Sequence, residues 1–149
     1  MGITEILNEV GHGFVVPVTP RTDSFVQKNV FLTGDAAGLA DTLVAEGISN
    51  AILSGIQAAQ AIIESNLDPE KATVLYIEKL ETTILPEIEK AAVLAHHFYN
   101  KKTFRNIILK KYGQYAAEAM TDLFMGKRTY PKDYIASISK KIKESVFKK

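Results

Sequence analysis

The sequence predicts a mostly α-helical chain in which a short strand–loop–helix segment, residues 1–66, precedes an all-helical region, residues 67–149. Three observations lead there. From Asp68 onward apolar residues recur every three or four positions, the mark of amphipathic helices. Before Asp68 only two short β-type runs occur, at 14–16 and 30–33, too few for a sheet of the usual roughly four to six strands. Between those runs and the helical region lies one stretch of helical periodicity, residues 47–64.

In chain order, Thr4 is placed to cap a short helix that runs to Val10 and stops at Gly11 and Gly13. Phe14, Val15 and Val16 read as a strand ended by Pro17, and Pro17, Pro20 and Asp23 mark a loop. Val30, Phe31, Leu32 and Thr33 lack alternation and stop at Gly34, which describes a strand buried on both faces in a parallel sheet. Over 47–64, Ile48, Ile52, Ile56, Ala59 and Ile63 form the expected buried stripe, and Asn66 is the candidate stop. Asp68-Pro69 supplies an N-cap and an N1 proline. The stripe Tyr76, Leu80, Ile84, Ile88, Ala91, Ala95 and Phe98 follows, with a break or kink expected at Pro86. Phe104, Ile107, Ile108 and Tyr112 predict a helix ending near Gly113, and another runs from about Tyr115 to Met125, stopped by Gly126. The last starts at Pro131 with Ile135, Ile138, Ile142 and Val146 on one face.

Composition narrows the function classes. At 149 residues, 46% apolar and 23% charged, the chain has the make-up of one ordinary globular domain. No apolar run is long enough to span a bilayer. The N-terminus lacks a basic segment before an apolar core, and Ile6 stands where a myristoylation signal needs Ser or Thr. Zero cysteines exclude disulfides, thiolate metal sites and cysteine catalysis. The expected location is cytoplasmic, with peripheral contact to a membrane. The net charge of +1 hides an asymmetry: residues 1–99 hold 5 Lys/Arg against 13 Asp/Glu, and residues 100–149 hold 13 against 4. Beyond that bulk charge nothing points to nucleic acid.

The stretch that carries chemistry is Asn29 to Ala61, NVFLTGDAAGLADTLVAEGISNAILSGIQAAQA. A strand delivers Gly34-Asp35 at its carboxyl end, where ligands bind in open α/β sheets. Gly34 permits close backbone approach. Asp35, ionised, only accepts hydrogen bonds, which suits ribose-type or ribityl hydroxyls. Ala36, Ala37 and Gly38 are small enough for a bulky cofactor to lie against. Glu46-Gly47 opens a helix whose free N–H groups stabilise negative charge.

This stretch resembles the second FAD-binding motif of the superfamily that contains aromatic-ring hydroxylases and geranylgeranyl reductases. GDAAG followed by EGI and a small-residue helix favours the reductase branch. The resemblance implies that Asp35 binds the ribityl chain of FAD, that Gly34 and Ala36 to Gly38 line the cofactor, and that Gly47 with Ile48 presents an amide to the flavin pyrimidine end. It implies an oxidoreductase, a flavoprotein that saturates geranylgeranyl double bonds of a lipid or (bacterio)chlorophyll precursor. Residues 1–66 then form the C-terminal part of an FAD-binding domain, with the motif at 29–61, and 67–149 its helical C-terminal region. The sequence departs from the family at Thr42, where proline is usual, and at Val44 and Ala45, where a small polar residue and a glycine are usual. It contains no GxGxxG turn for the FAD pyrophosphate. The expectation is therefore a C-terminal fragment whose FAD-binding N-terminal segment is missing, inactive alone and not retaining FAD. The alternatives are a helical interaction or regulatory module with a degenerate motif, or part of an aromatic hydroxylase.

Other residues carry less. His96 and His97 are adjacent, so they point about 100° apart on a helix and do not chelate one ion. No metal site is expected. His12 is a lone loop histidine, and Glu46 is best explained as a carboxylate at a helix start. Aromatics Tyr76, Phe98, Phe104 and Tyr112 are expected in a core rather than lining a prenyl pocket. The partner expected of the whole protein is an isoprenoid or prenylated lipid. Lys140, Lys141, Lys143, Lys148 and Lys149 form a basic face that can meet anionic lipid without insertion. The expected outcome is weak, salt-sensitive co-sedimentation with anionic vesicles and none with neutral ones, at about 1 kcal/mol per lysine near the surface. Equal negligible pelleting in every condition would leave the lysines as a solvated face.

Overall fold

The computed structural model describes residues 13, 15–19, 21–127 and 129–130. The expected helix at 4–10, Phe14, His12 and the basic helix from Pro131 lie outside the described residues. Two strands, β1 (Val26–Gln27) and β2 (Val30–Phe31), precede a 3₁₀ turn (Gly34–Ala37). Four helices follow: α1 (Ile48–Glu64), α2 (Pro69–Thr82), α3 (Leu85–Asn100) and α4 (Lys102–Phe124). The mostly helical class is as expected.

The β segment differs from its expectation. β1 and β2 pair antiparallel, Val26 opposite Phe31 and Gln27 opposite Val30. Lys28, at φ 56°, turns the chain between them. The 30–33 run is thus one arm of a hairpin, and Val30 is 61% exposed. A parallel strand needs a crossover partner, and the described residues contain none. Val15 and Val16 form no strand and are exposed.

Helix boundaries follow the sequence signals closely. Asn66 and Leu67 take left-handed φ values of 54° and 65° and end α1. The Asp68 carboxylate accepts from the amides of Glu70 and Lys71, opening α2 beside Pro69. Those amide bonds, Lys71 first, hold the Asp68 carboxyl below the usual range. Pro86 sits in the first turn of α3, where its missing N–H costs nothing, so the break falls at 83–84. At the second expected break α4 runs on: it only kinks, at Tyr112 (φ −131°, ψ 19°), just before Gly113. Gly126, at φ 65°, follows its end.

The core lies where α2 and α3 face the hairpin, the 3₁₀ turn and α1. Tyr76, Leu80, Ile84 and Ile88 meet Phe25, Ala37, Leu39 and Ala61. Burial of each large side chain stabilises by about 1.5–3 kcal/mol. A second cluster joins Leu43, Ala91, Ala95 and Tyr130. The expected stripe of α2 and α3 is buried from Tyr76 to Ala95, with Phe98 half-buried.

The expected stripe of α1 is not. Ile48, Ile52, Ile56 and Ile63 are 50–73% exposed, and Ala59 is exposed too. The buried face is Ser54, Gln57, Ala58 and Ala61. Small side chains let α2 approach, Ser54 Oγ accepts from Gly34 N at 3.0 Å, and Gln57 Nε2 donates to Thr83 Oγ1 at 2.7 Å while its buried Oε1 has no partner among the described residues. α1 thus buries a small-residue, partly polar face among the described residues and leaves its isoleucine face exposed.

Tyr76 is fully buried and donates to the Leu32 carbonyl at 2.6 Å. Burial pushes its phenol up to about 12 from 10.0. The fold prefers the neutral phenol, so its contribution is whole below pH 10 and is lost as pH rises through 12. Tyr76→Phe should lower stability at pH 7 by about 1–2 kcal/mol. It should also flatten the loss between pH 10 and 12. Denaturant melts across that range check both, and an unaltered alkaline slope would remove Tyr76 from the titration.

Candidate functional site

The site is built at the junction of hairpin, 3₁₀ turn and α1. Gly34 begins the turn at φ 53°, and a Cβ there would lie 2.8 Å from the Ala51 Cβ of α1. The conformation and the contact each require glycine. The close approach expected of Gly34 is thus directed at α1. Its amide is held by Ser54. Arg21 braces the turn from outside: Nη1 donates to the Ala36 carbonyl at 2.9 Å, and Asp23 pairs with the same guanidinium.

The turn points Asp35 outward and Ala37 inward. Asp35 and Ala36 are exposed, whereas Ala37 and Gly38 are buried. Gly38 closes the turn at φ 65°, its amide donating to the Asp35 carbonyl at 2.9 Å while the Leu39 amide donates to the Gly34 carbonyl at 3.1 Å. Asp35 leans over the start of α1: a Cβ on Gly47 would lie 2.7 Å from Asp35 Oδ1. Gly34, Asp35, Gly47 and Ile48 therefore line one open cleft of about 430 Å³, together with Ala45 and Ala51. Ala36, Ala37 and Gly38 do not line it.

The polar groups at this cleft are unfilled. Among the described residues the Asp35 carboxylate makes no hydrogen bond to protein, and neither do the Gly47 and Ile48 amides. The next amide, Ser49, is satisfied by Glu46 Oε1 at 2.8 Å, so Glu46 serves as a cap. The cleft thus offers an acceptor carboxylate next to two free donors at the positive end of a 17-residue helix. That donor set suits a ligand with hydroxyls beside a carbonyl or anionic edge, as a flavin with its ribityl chain has.

Loop 41–47 forms the far wall, and side chains distant in sequence fasten it. Asp41 Oδ1 accepts from the Leu43 and Val44 amides, at 2.8 and 2.9 Å. Tyr130, nearly buried, donates to Asp41 Oδ2 at 2.8 Å, and its own amide donates to Glu87 of α3. Tyr99 of α3 donates to the Leu43 carbonyl at 2.8 Å. Burial first, then the Asp41 charge, pushes the Tyr130 phenol well above its ordinary value. Sequence reasoning missed Asp41, Tyr99 and Tyr130. The polar tips of tyrosines among apolar helix positions are the signal that was there to use.

Two positions where the family resemblance lapses show local cost. Ala45 sits at φ 54°, a conformation that favours glycine. The Thr42 hydroxyl is buried with no partner, where proline would bring no hydroxyl.

His96 and His97 stack edge to face, and His97 Nδ1 meets the Val93 carbonyl at 2.8 Å. Among the described residues no cluster of three His, Cys, Asp or Glu could hold a metal. No described helix is long and apolar enough to cross a membrane.

No family model matches the chain, and no solved structure does. Two curated proteins are similar to it over 122 residues, 78% of this chain. The chloroplastic geranylgeranyl diphosphate reductase of Arabidopsis thaliana is 32% identical and that of Nicotiana tabacum 30%. The match takes up 26% of each, so the chain spans about a quarter of the length of these relatives. They support a relationship to geranylgeranyl reductases.

The backbone geometry makes four substitutions diagnostic. Gly34→Ala should destabilise by about 2–4 kcal/mol, from a forbidden φ and an overpacked contact. Gly55→Ala, in α1 with open space around its Cβ, should stabilise by about 0.5–1 kcal/mol. Ala45→Gly and Thr42→Val should each stabilise by about 1 kcal/mol. Urea melts of the four variants check this, and equal midpoints for the two glycine variants would refute the geometry at Gly34.

Proposed function

We propose that this chain is the C-terminal part of an FAD-dependent oxidoreductase that saturates carbon–carbon double bonds of a geranylgeranyl group on a lipid or (bacterio)chlorophyll precursor. The observation that carries the reading is the unfilled pairing of Asp35 with the Gly47 and Ile48 amides in one cleft. Similarity to the two reductases supports the substrate class. The exposed isoleucine face of α1 supports a larger protein, because a large contiguous apolar surface is ordinarily covered. The remaining three quarters of a reductase of that length would supply the cover and the pyrophosphate turn.

In this reading Asp35 accepts hydrogen bonds from the ribityl hydroxyls. The Gly47 and Ile48 amides would donate to the pyrimidine edge, and the N-terminal end of the α1 dipole favours negative charge there. A side chain at Gly47 would displace the Asp35 carboxylate, since a Cβ there lies 2.7 Å from Asp35 Oδ1. When bound, the flavin supplies the hydride, and the protein positions the alkene and tunes the cofactor. The apolar substrate and the basic C-terminal segment together support peripheral docking on an anionic membrane.

Two measurements test the proposal. The chain alone should lose FAD on dialysis, and a yellow protein at full occupancy would refute its dependence on a missing segment. In the longer protein, Asp35→Ala should weaken FAD by one to two orders of magnitude. That corresponds to about 1.5–3 kcal/mol for a charge-assisted bond. Unchanged affinity in a flavin titration would remove Asp35 from the site.

A further inference from the structure

Asp41 is the hub of loop 41–47. Its amide donates to the Glu46 carbonyl at 2.7 Å, and its carbonyl accepts from the Ala45 amide at 2.9 Å. Its carboxylate accepts from the Leu43 and Val44 amides through Oδ1 and from the Tyr130 hydroxyl through Oδ2. Five hydrogen bonds thus meet on one residue. The bond to Glu46 reaches the cleft directly. The Glu46 carbonyl and the Gly47 N–H belong to one planar trans peptide, in which the two groups point in opposite directions. Holding that carbonyl on Asp41 therefore turns the Gly47 N–H away from the hub.

Asp41 is itself held from far along the chain. The Tyr130 ring is buried against Leu43, Ala91 and Ala95, where two alanines of α3 leave room for it. Its amide donates to Glu87 Oε2 at 2.9 Å, and Glu87 is paired with Lys90. A buried hydroxyl needs a partner, and Asp41 Oδ2 is the partner the structure gives it. The loop's own amides engage the other carboxylate oxygen, so Tyr130 fixes the one that they leave.

We propose that Tyr130 is a positioning residue for the Asp35 cleft: through Asp41 it sets the Glu46–Gly47 peptide plane and aims the Gly47 amide at the ligand. The identity of that ligand rests on the flavin reading; the latch does not. Because latch and ligand hold the same peptide, each strengthens the other. A ligand in the cleft tightens Tyr130 on α3, and loosening Tyr130 weakens the ligand.

The test follows backbone amides of this chain by NMR. Tyr130→Phe keeps the ring and removes only the hydroxyl. It should speed hydrogen exchange at the Asp41, Leu43 and Val44 amides by about tenfold and leave the α2 amides at their original rates. It should also shift the Gly47 amide resonance. In Asp41→Ala, adding Tyr130→Phe should alter neither readout, because the hydroxyl acts through the carboxylate. Glu87→Ala, which frees the Tyr130 amide, should give the same loop-selective pattern and decides the matter if Tyr130→Phe does not fold. Uniform acceleration along the chain, or an unmoved Gly47 resonance, would overturn the proposal. In the longer protein Tyr130→Phe should weaken FAD by roughly three- to tenfold. A loss in Asp35→Ala but not in Tyr130→Phe would overturn the coupling. No loss in either would sink the flavin reading instead, with the exchange rates still deciding the latch.

Discussion

Three tyrosine hydroxyls hold the candidate site in place. A chain leaving a hairpin and entering a helix through a dozen loop residues carries backbone groups that neither element satisfies, and buried ones must be paired. Here the helical region supplies the partners. Tyr76 donates to the Leu32 carbonyl, Tyr99 to the Leu43 carbonyl and Tyr130 to Asp41, which itself gathers the Leu43 and Val44 amides. Tyr76 also meets Phe31 edge to face at 5.6 Å. The ends of the strand–turn–helix motif are thus set by α2, α3 and the segment after α4. The region that resembles a cofactor motif and the region that looks like a plain helical tail form one unit.

That dependence explains the inverted burial of α1. The helix meets α2 through Ser54, Gln57, Ala58 and Ala61, because Gly34 needs a hydroxyl acceptor and α2 needs close approach. Its isoleucines are left on the other side. A larger apolar stripe normally wins the core position by burying more area, at about 25 cal/mol per Å². Here a directed hydrogen bond, a glycine contact at Ala51 and the Gln57–Thr83 bond fix the rotation of the helix instead. The isoleucine face is a second packing surface, and the covering element the proposed function calls for would use it.

Loop 41–47 borders both the Asp35 cleft and an apolar cavity between α3 and α4. Its Ala45 and Gly47 face the cleft, and its Leu43 faces the apolar cavity. Its turn is capped by Asp41, and the departures at Thr42 and Ala45 leave it slightly strained. Strain of this kind persists where surrounding contacts over-determine the backbone, and the Tyr99 and Tyr130 bonds do so here.

Much was legible in the sequence because it depends on local chemistry. Asp68-Pro69, Asn66, Pro86 and Gly126 set helix boundaries through caps, a fixed φ and left-handed backbone, which act within a few residues. The run from Tyr76 to Ala95 showed its buried face because only one surface of those helices is apolar. Gly34, Asp35, Gly47 and Ile48 were grouped by the resemblance to a known cofactor motif, and they line one cleft. The tertiary structure decided what spacing does not encode. It placed Asp35 over Gly47, turned Ala37 and Gly38 into the core, and paired β2 with a strand the sequence barely marks. It chose which face of α1 to bury, and it let α4 bend at Tyr112 rather than end. Each of these follows from a contact between residues distant in sequence. Such contacts are selected by which hydrogen bonds and close approaches can be satisfied together, and periodicity along the chain carries no record of that competition.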